Sequence, residues 1–326
     1  MEKIKGIGIS SGGLDSMLAA FLMKKQNIDV VLVCFTTPFF SSHKAEKAAR
    51  LLELPLRVVD ISVDHLRMLR NPKHGYGSHM NPCIDCHALM LREAGEIMRR
   101  ENGHFVFSGE VLGQRPLSQN KAALAAVARE SGLNELLLRP LSAKLLPITL
   151  PEREGWVSRE QLLDISGRSR KRQMDMAREF GISEYPTPAG GCLLTEEGFS
   201  RRLRDLFAHE PNPDLREIEL LKVGRHFRLD SGVKLVVGRN QQENEIMDSL
   251  TRPGDLHIVC ADRPGPTVLV ANASGFESLD EAASACAAYS GAPAGSATQV
   301  LVRYNNIETR TTTIVRRKED FRSALI

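Results

Sequence analysis

Ile4-Lys5-Gly6-Ile7-Gly8-Ile9-Ser10-Ser11-Gly12-Gly13-Leu14-Asp15-Ser16 is the stretch whose reading decides the fold. The apolar run Ile4 to Ile9 reads as a buried strand, and Met17 to Met23 reads as an amphipathic helix. A strand, a glycine turn and a helix N-terminus together make an anion site. Backbone N–H groups that the helix leaves unpaired point outward, and the aligned peptide dipoles favour negative charge. Gly12 and Gly13 let the backbone turn and approach a phosphate closely. Ser11 and Ser16 add hydroxyl donors. Asp15 cannot favour a bare phosphate, so it suits a bound Mg²⁺ or placement of the loop. The same pattern also describes an ordinary strand, turn and helix with serine capping. No Gly-Lys-Ser/Thr follows, which excludes a Walker A loop, and the glycine spacing is wrong for a dinucleotide fingerprint.

Outward from this stretch, strands alternate with helices. Asp29 to Thr36, Leu56 to Ile61, Phe105 to Ser108 and Leu136 to Arg139 read as further buried strands, and Lys44 to Leu52 as a helix. That alternation predicts an α/β fold with a doubly wound parallel sheet. Ligands of such sheets sit at the carboxyl ends of the strands, where the glycine loop, Thr36, Ser108 and Arg139 fall. Past Pro147 and Pro151 the texture changes. Ser158 to Ile165 and Arg170 to Phe180 read as two short helices, Tyr185 to Cys192 as a Pro/Gly loop, and Thr195 to Phe207 as a helix. His209-Glu210-Pro211-Asn212-Pro213 marks the best boundary. Beyond it, short strands near 224–229, 234–237, 257–260, 267–270, 298–303 and 311–316 with helices near 241–250 and 279–289 predict a small α+β domain. The expected division is 1–150, 151–210 and 211–326.

Composition is that of a soluble globular protein, with a net charge of +3, one Trp and four Tyr. Broad base-stacking platforms are not expected on so few aromatics. No apolar leader or membrane-length run is visible, so the expected place is the cytoplasm, with no membrane partner. The six cysteines then read as thiols, metal ligands or catalysts. Cys83-Ile84-Asp85-Cys86 opens a helical run, Ala88 to Arg99, and thiols near a helix start are expected to have lowered pKa values. With Cys192 downstream, three readings stay open: a redox pair with a spare thiol, a zinc site completed by His87 or His79, or an iron–sulfur cluster on three cysteines with one open iron. Cys83-Ile84-Asp85-Cys86-His87 also matches the haem-attachment spacing, which normally accompanies export. Cys34, Cys260 and Cys286 read as small buried hydrophobes.

The string Ser11-Gly12-Gly13-Leu14-Asp15-Ser16 resembles the SGGxDS loop of the ATP pyrophosphatase superfamily, placed at the first strand as that superfamily has it. Gly109-Glu110-Val111-Leu112-Gly113-Gln114-Arg115-Pro116-Leu117-Ser118-Gln119 resembles the Gly-Glu-x-x-Gly-Gln-x-x-Ser-Gln segment of tRNA 4-thiouridine synthetases, with one extra residue before Ser118. Asn81-Pro82-Cys83-Ile84-Asp85-Cys86 is similar to the Asn-Pro-x-x-x-Cys stretch of tRNA 2-thiouridylases. There Cys86 aligns with the catalytic cysteine and Cys192 is the natural second one. Cys83 departs from that pattern and is instead similar to the thiolases of this superfamily that hold a three-cysteine [4Fe-4S] cluster. Val237-Gly238-Arg239-Asn240-Gln241-Gln242-Glu243-Asn244 resembles the Gly-Arg-Asn-x-x-x-Asn segment of the NFACT-type RNA-binding module.

These resemblances imply an adenine nucleotide alpha hydrolase (HUP-like) fold and ATP-dependent thiolation of a tRNA uridine, with release of AMP and pyrophosphate. They imply nucleotide contacts from Ser11, Gly12, Gly13, Asp15, Ser16, Thr36, Ser108, Gly109 and Gln114. Cys83, Cys86 and Cys192 with Asp15 would carry the chemistry. Implied cofactors are ATP, Mg²⁺ and a [4Fe-4S] cluster on the three cysteines, with zinc as the other metal. Implied partners are tRNA and a sulfur donor, either sulfide or a cysteine desulfurase relay; a homodimer is also allowed. The alternatives are a persulfide mechanism without a cluster, using Cys86 and Cys192, and a synthetase of the same superfamily acting on a small-molecule carbonyl. The basic groups Arg168-Arg170-Lys171-Arg172 and Arg316-Arg317-Lys318 are candidates for phosphate contact.

Overall fold

The computed structural model describes residues 3–185, 192–276, 278–305 and 307–326. Pro186 to Gly191 of the Pro/Gly loop lie outside them. The chain divides into two compact units, Met1–Thr195 and Glu196–Ile326.

The first unit is built on a five-stranded parallel sheet of β1 (Lys5–Ile9), β2 (Asp29–Thr36), β3 (Leu56–Asp60), β4 (Phe105–Ser108) and β5 (Leu137–Leu138). Their order is β3-β2-β1-β4-β5. The chain winds one way from β1 and then crosses back to lay β4 on the other side. The crevice between the carboxyl ends of β1 and β4 is therefore a topological switch point. Alternation along β2 explains the two layers. Val30 and Leu32 join a core with α1 (Leu14–Lys25) and α2 (His43–Leu52). Val31, Val33 and Phe35 join the opposite core with α4 (Cys83–Arg100) and α5 (Lys121–Glu130). The doubly wound α/β fold expected from the strand–helix alternation is the fold observed.

Several local expectations are corrected. Ser158 to Ile165 is not a helix, apart from a single 3₁₀ turn at Arg159–Gln161. The amides of Leu163 and Ile165 donate instead to the carbonyls of Pro140 and Leu141, and Leu162 and Ile165 are drawn extended into the first core. Val157, Met176 and Ala177 share that core, so α6 (Leu150–Arg153) and α7 (Lys171–Glu179) belong to the first unit. Among the helices not anticipated are α3 (Ser62–Arg70) and α5. The third strand stops at Asp60, whose carboxylate accepts the Ser62 N–H at 2.7 Å and turns the chain into α3.

The second unit opens with α8 (Glu197–His209) and α9 (Leu215–Leu220). Its sheet consists of β6 (Arg225–Arg228), β7 (Lys234–Val237), β8 (Leu256–Cys260), β9 (Val268–Val270), β10 (Ala297–Tyr304) and β11 (Ile307–Ile314). These form one antiparallel sheet in the order β11-β10-β8-β9-β7-β6. The alanine-rich helix α11 (Leu279–Tyr289) covers one face, and α10 (Gln241–Leu250) covers part of the other through Met247. The last strand begins and ends earlier than the expected 311–316. It is an edge strand, mostly exposed, so no burial period marks its ends.

Candidate active site

The glycine loop sits where β1 gives way to α1. Gly13 is the N-cap of α1, with no side-chain cap, so the first N–H groups of the helix are left for a ligand. Gly12 has φ +71°, and a Cβ there would lie 2.1 Å from the Lys44 carbonyl carbon in the first turn of α2. Only glycine fits, for conformation and for space. Local hydroxyls hold the loop in shape. The Ser16 Oγ donates to the Gly13 carbonyl at 2.8 Å, and the Ser10 and Ser11 Oγ atoms accept from the N–H groups of Gly12 and Gly13.

Gly109, just past β4, is pressed against the first turn of α1; its Cβ would fall 2.5 Å from the Ser16 nitrogen. The Gln114 side chain donates to the Asp15 Oδ2 at 2.8 Å and accepts from the buried Gln173 amide. The Asp15 Oδ1 is buried with no hydrogen-bond partner. A lone carboxylate oxygen at the uncapped start of a helix is a ligand that a phosphate-bound Mg²⁺ would use. Thr36 lies half-buried at the end of β2.

Ser108 is buried and hydrogen-bonds within the protein. Its Oγ donates to the Glu110 Oε2 at 3.0 Å. Glu110 also meets the Arg139 Nε at 2.8 Å and the His87 Nδ1 at 2.8 Å. Burial pushes the Glu110 carboxyl up, but the Arg139 charge and the His87 contact outweigh it and hold the group well below the usual range. Ser118 and Gln119 are buried as well. Arg139 secures this network by donating to the Leu124 carbonyl.

The thiols lie at the same end of the sheet. Cys83 and Cys86 occupy the first turn of α4, which begins at Cys83 itself, and the next residue, His87, is bound to Glu110 beside Gly109. Cys192 is brought back to this turn by the Leu194 carbonyl, which accepts the Met80 N–H at 3.2 Å. All three are half-buried. The expected lowering of the thiol pKa values does not occur. Burial raises Cys83, with Arg115 opposing, and burial followed by Cys192, Cys83 and Asp85 raises Cys86. Desolvation and crowding of like charge exceed the helix-start field here. Asp85 spends its Oδ2 on the His74 N–H at 3.0 Å.

Among the described residues no three His, Cys, Asp or Glu side chains stand together at metal-ligand distance. The donor chemistry nonetheless suits a thiophilic group. Three neighbouring thiols whose like negative charges disfavour one another are what a bound cation would neutralise. Neither His79 nor His87 joins the thiols in a metal-binding group among the described residues, and the His87 Nδ1 is bound to Glu110.

The structure adds His65 and Gln173, which no local pattern announces. His65 reaches Cys86 and Gln173 reaches Gln114, each from a distant segment. Cys34 and Cys286 are buried as expected, whereas Cys260 is only half-buried and its Sγ lies 3.7 Å from that of Cys286.

In the second unit, the Gly238 to Asn244 segment is stitched internally. Asn240 caps α10 by accepting the Glu243 N–H, Arg239 pairs with Glu243, and the Asn244 Oδ1 accepts the Thr267 N–H. The basic groups are partly spent too, with Arg172 on Asp164 and Arg317 on Asp320. Among the described residues no helix is long and apolar enough to cross a membrane.

Residues 3–144 match the family described as thiamine biosynthesis protein (ThiI), and residues 224–322 match the NFACT protein RNA-binding domain. A probable tRNA sulfurtransferase of Anoxybacillus flavithermus is 26% identical over 49% of this chain and 49% of its own. One of Methanosarcina mazei is 29% identical over 60% of this chain and 47% of its own. The chain thus spans about half the length of the curated relatives it matches. A solved 4-thiouridine synthetase–RNA complex with bound ATP is 20% identical over 54% of this chain and 40% of its own, with a TM-score of 0.38.

Proposed function

We propose that the chain, a ThiI-family domain followed by an NFACT-type RNA-binding domain, is an ATP-dependent tRNA uridine sulfurtransferase. One observation carries the proposal. A continuous path of contacts, Cys86 to His87 to Glu110 to Gly109 to Asp15, joins the thiols to the glycine loop within one unit. A nucleotide-activating loop and a sulfur-handling group at the same strand ends suit a reaction that needs both. The names of the relatives and the RNA-binding match support tRNA as the substrate.

Oxide is a poor leaving group, so a uridine carbonyl must first be activated. The carbonyl oxygen attacks the α-phosphorus of ATP, forming an O–P bond as the bond to pyrophosphate breaks. The N–H groups of the α1 start, with Gly12, Gly13 and Ser16, cradle the phosphates, and Asp15 holds Mg²⁺ against them. Gln114 fixes the Asp15 carboxylate. Sulfur then forms a bond to the activated carbon, and AMP leaves with the oxygen.

Cys83, Cys86 and Cys192 would hold a [4Fe-4S] cluster, which when bound supplies an open iron for sulfide. The same thiols suit a persulfide path. There a cysteine desulfurase relay transfers sulfane sulfur to Cys192 or Cys86, the terminal sulfur of that persulfide attacks, and the other thiolate resolves the intermediate to a disulfide that an external thiol must reduce. The number of thiols favours the cluster, since the persulfide path needs only two.

The test supplies purified protein with ATP, Mg²⁺, unmodified tRNA and sulfide. Pyrophosphate release should require tRNA, and nucleoside mass spectrometry should find a thiouridine in the product. Asp15→Asn keeps the shape and the Gln114 contact and should lower pyrophosphate release by more than about 100-fold. Pyrophosphate release that ignores tRNA, or Asp15→Asn at wild-type rate, would remove the proposal. About four irons per chain after anaerobic purification would select the cluster; stoichiometric zinc or no metal would exclude it.

A further inference from the structure

A buried imidazole reaches Cys86. The His65 Nε2 lies 3.4 Å from the Cys86 Sγ. The His65 side chain is fully buried, at 0% exposure. The Phe39 and Phe40 rings flank it at 5.3 and 5.6 Å, the second edge-on at 86°. Its backbone N–H donates to the Ile61 carbonyl, in the first turn of α3. Packed in this way, the imidazole presents Nε2 to the sulfur. The Nδ1 has no hydrogen-bond partner and no access to water.

That orphan nitrogen chooses the tautomer. If Nδ1 carried the proton, a buried N–H would be left without an acceptor among aromatic rings. If Nε2 carries it, Nδ1 is left as an unused lone pair, and the N–H finds the sulfur. Orphaned buried donors are rarer in folded proteins than under-used acceptors.

We infer that His65 is a positioning residue for the proposed sulfur transfer, in which the Nε2–H donates to the Cys86 sulfur and fixes its place at the start of α4. This rests on the reading of the cysteines as the sulfur-handling group. The tautomer itself does not. Cys86 is anchored through a ring that is fully buried in the core.

The first measurement is nitrogen NMR of the purified full chain with ¹⁵N-histidine, in which His65→Leu identifies the His65 signal among the nine histidines. The expected result is a proton on Nε2 between about pH 6 and 8, with a shift of that signal in Cys86→Ala. A proton on Nδ1, or a signal indifferent to Cys86→Ala, overturns the inference whatever the enzyme does. The second measurement is steady-state tRNA thiolation. His65→Leu keeps the volume and removes the donor; kcat should fall roughly tenfold while KM for tRNA and the first-turnover burst of tRNA-dependent pyrophosphate release stay unchanged. His65→Gln carries an amide N–H to about the same point and should recover most of the loss, which a merely space-filling role would not produce. Equal kcat in wild type and His65→Leu refutes the positioning role. Absence of thiolation in the wild type refutes the reading of the reaction and leaves the NMR result to stand alone.

Discussion

Gly109→Ala tests whether the two halves of the proposed site depend on close backbone contact. An added Cβ would sit 2.5 Å from the Ser16 nitrogen, 2.6 Å from the Asp15 carbonyl carbon and 2.7 Å from the Asp15 oxygen. Ordinary contact begins near 3.4 Å, so the end of β4 and the first turn of α1 must part by about 0.9 Å. The obstruction is backbone on both sides and has no rotamer to yield. Overpacking of this kind costs about 1–3 kcal/mol, or roughly 2–12 °C in the unfolding midpoint of a unit this size. The larger effect falls on activity. A displacement near 1 Å of a group that positions reacting atoms costs on the order of 100-fold, and Asp15 is the group displaced. Gly13→Ala is the comparison, because its Cβ would meet only the Ser11 Oγ at 3.4 Å and its φ of −79° suits any residue. Differential scanning calorimetry and tRNA-dependent pyrophosphate release would be measured on both. A Gly109→Ala protein with the wild-type midpoint and rate would show that the β4–α1 contact does not hold the loop.

Glu110→Gln leaves Arg139 buried without its charge partner and should destabilise the first unit by about 3–5 kcal/mol, measured by urea unfolding at pH 7. The folded Glu110 pKa is depressed, so its contribution is complete above the unfolded value of about 4.3 and fades as pH falls from there toward the folded pKa. Urea midpoints between about pH 3 and 6 should fall in the wild type, and the Gln variant should lack that component. Serine at Cys83, Cys86 or Cys192 should abolish thiouridine formation and leave the first-turnover burst of tRNA-dependent pyrophosphate release within about threefold, whereas Cys34→Ser should leave both intact. Nucleoside mass spectrometry beside a pyrophosphate assay separates the two steps, and loss of both in all three variants would place the thiols in nucleotide binding instead. The affinity for tRNA should drop steeply between about 50 and 200 mM salt. A flat response in filter binding would point to a small-molecule substrate.

Much of the first unit was legible because its signals are local. A buried parallel strand is a continuous apolar run, and Asp29 to Thr36 shows that run without interruption. Ser11 to Ser16 is readable for the same reason, since a loop that cradles phosphate needs its glycines and hydroxyls adjacent in the chain. Ser158 to Ile165 misled because its helical spacing of apolar residues serves an extended segment whose amides bond to Pro140 and Leu141. The edge strand Ile307–Ile314 kept its bounds hidden because neither face is buried.

From sequence alone came the strand, glycine turn and helix around Ser11 to Ser16, the number of thiols and the fold class, since each depends on neighbours within a few residues. The tertiary structure alone decided how those parts act on one another. It set Gly109 against Asp15, aimed His65 at Cys86, tied His87 to Glu110 and raised the thiols that a helix start would have lowered. The reason is range. A helix dipole and a glycine turn are properties of one segment. Desolvation and charge crowding exist only once segments dozens of residues apart have excluded water from the same few ångströms.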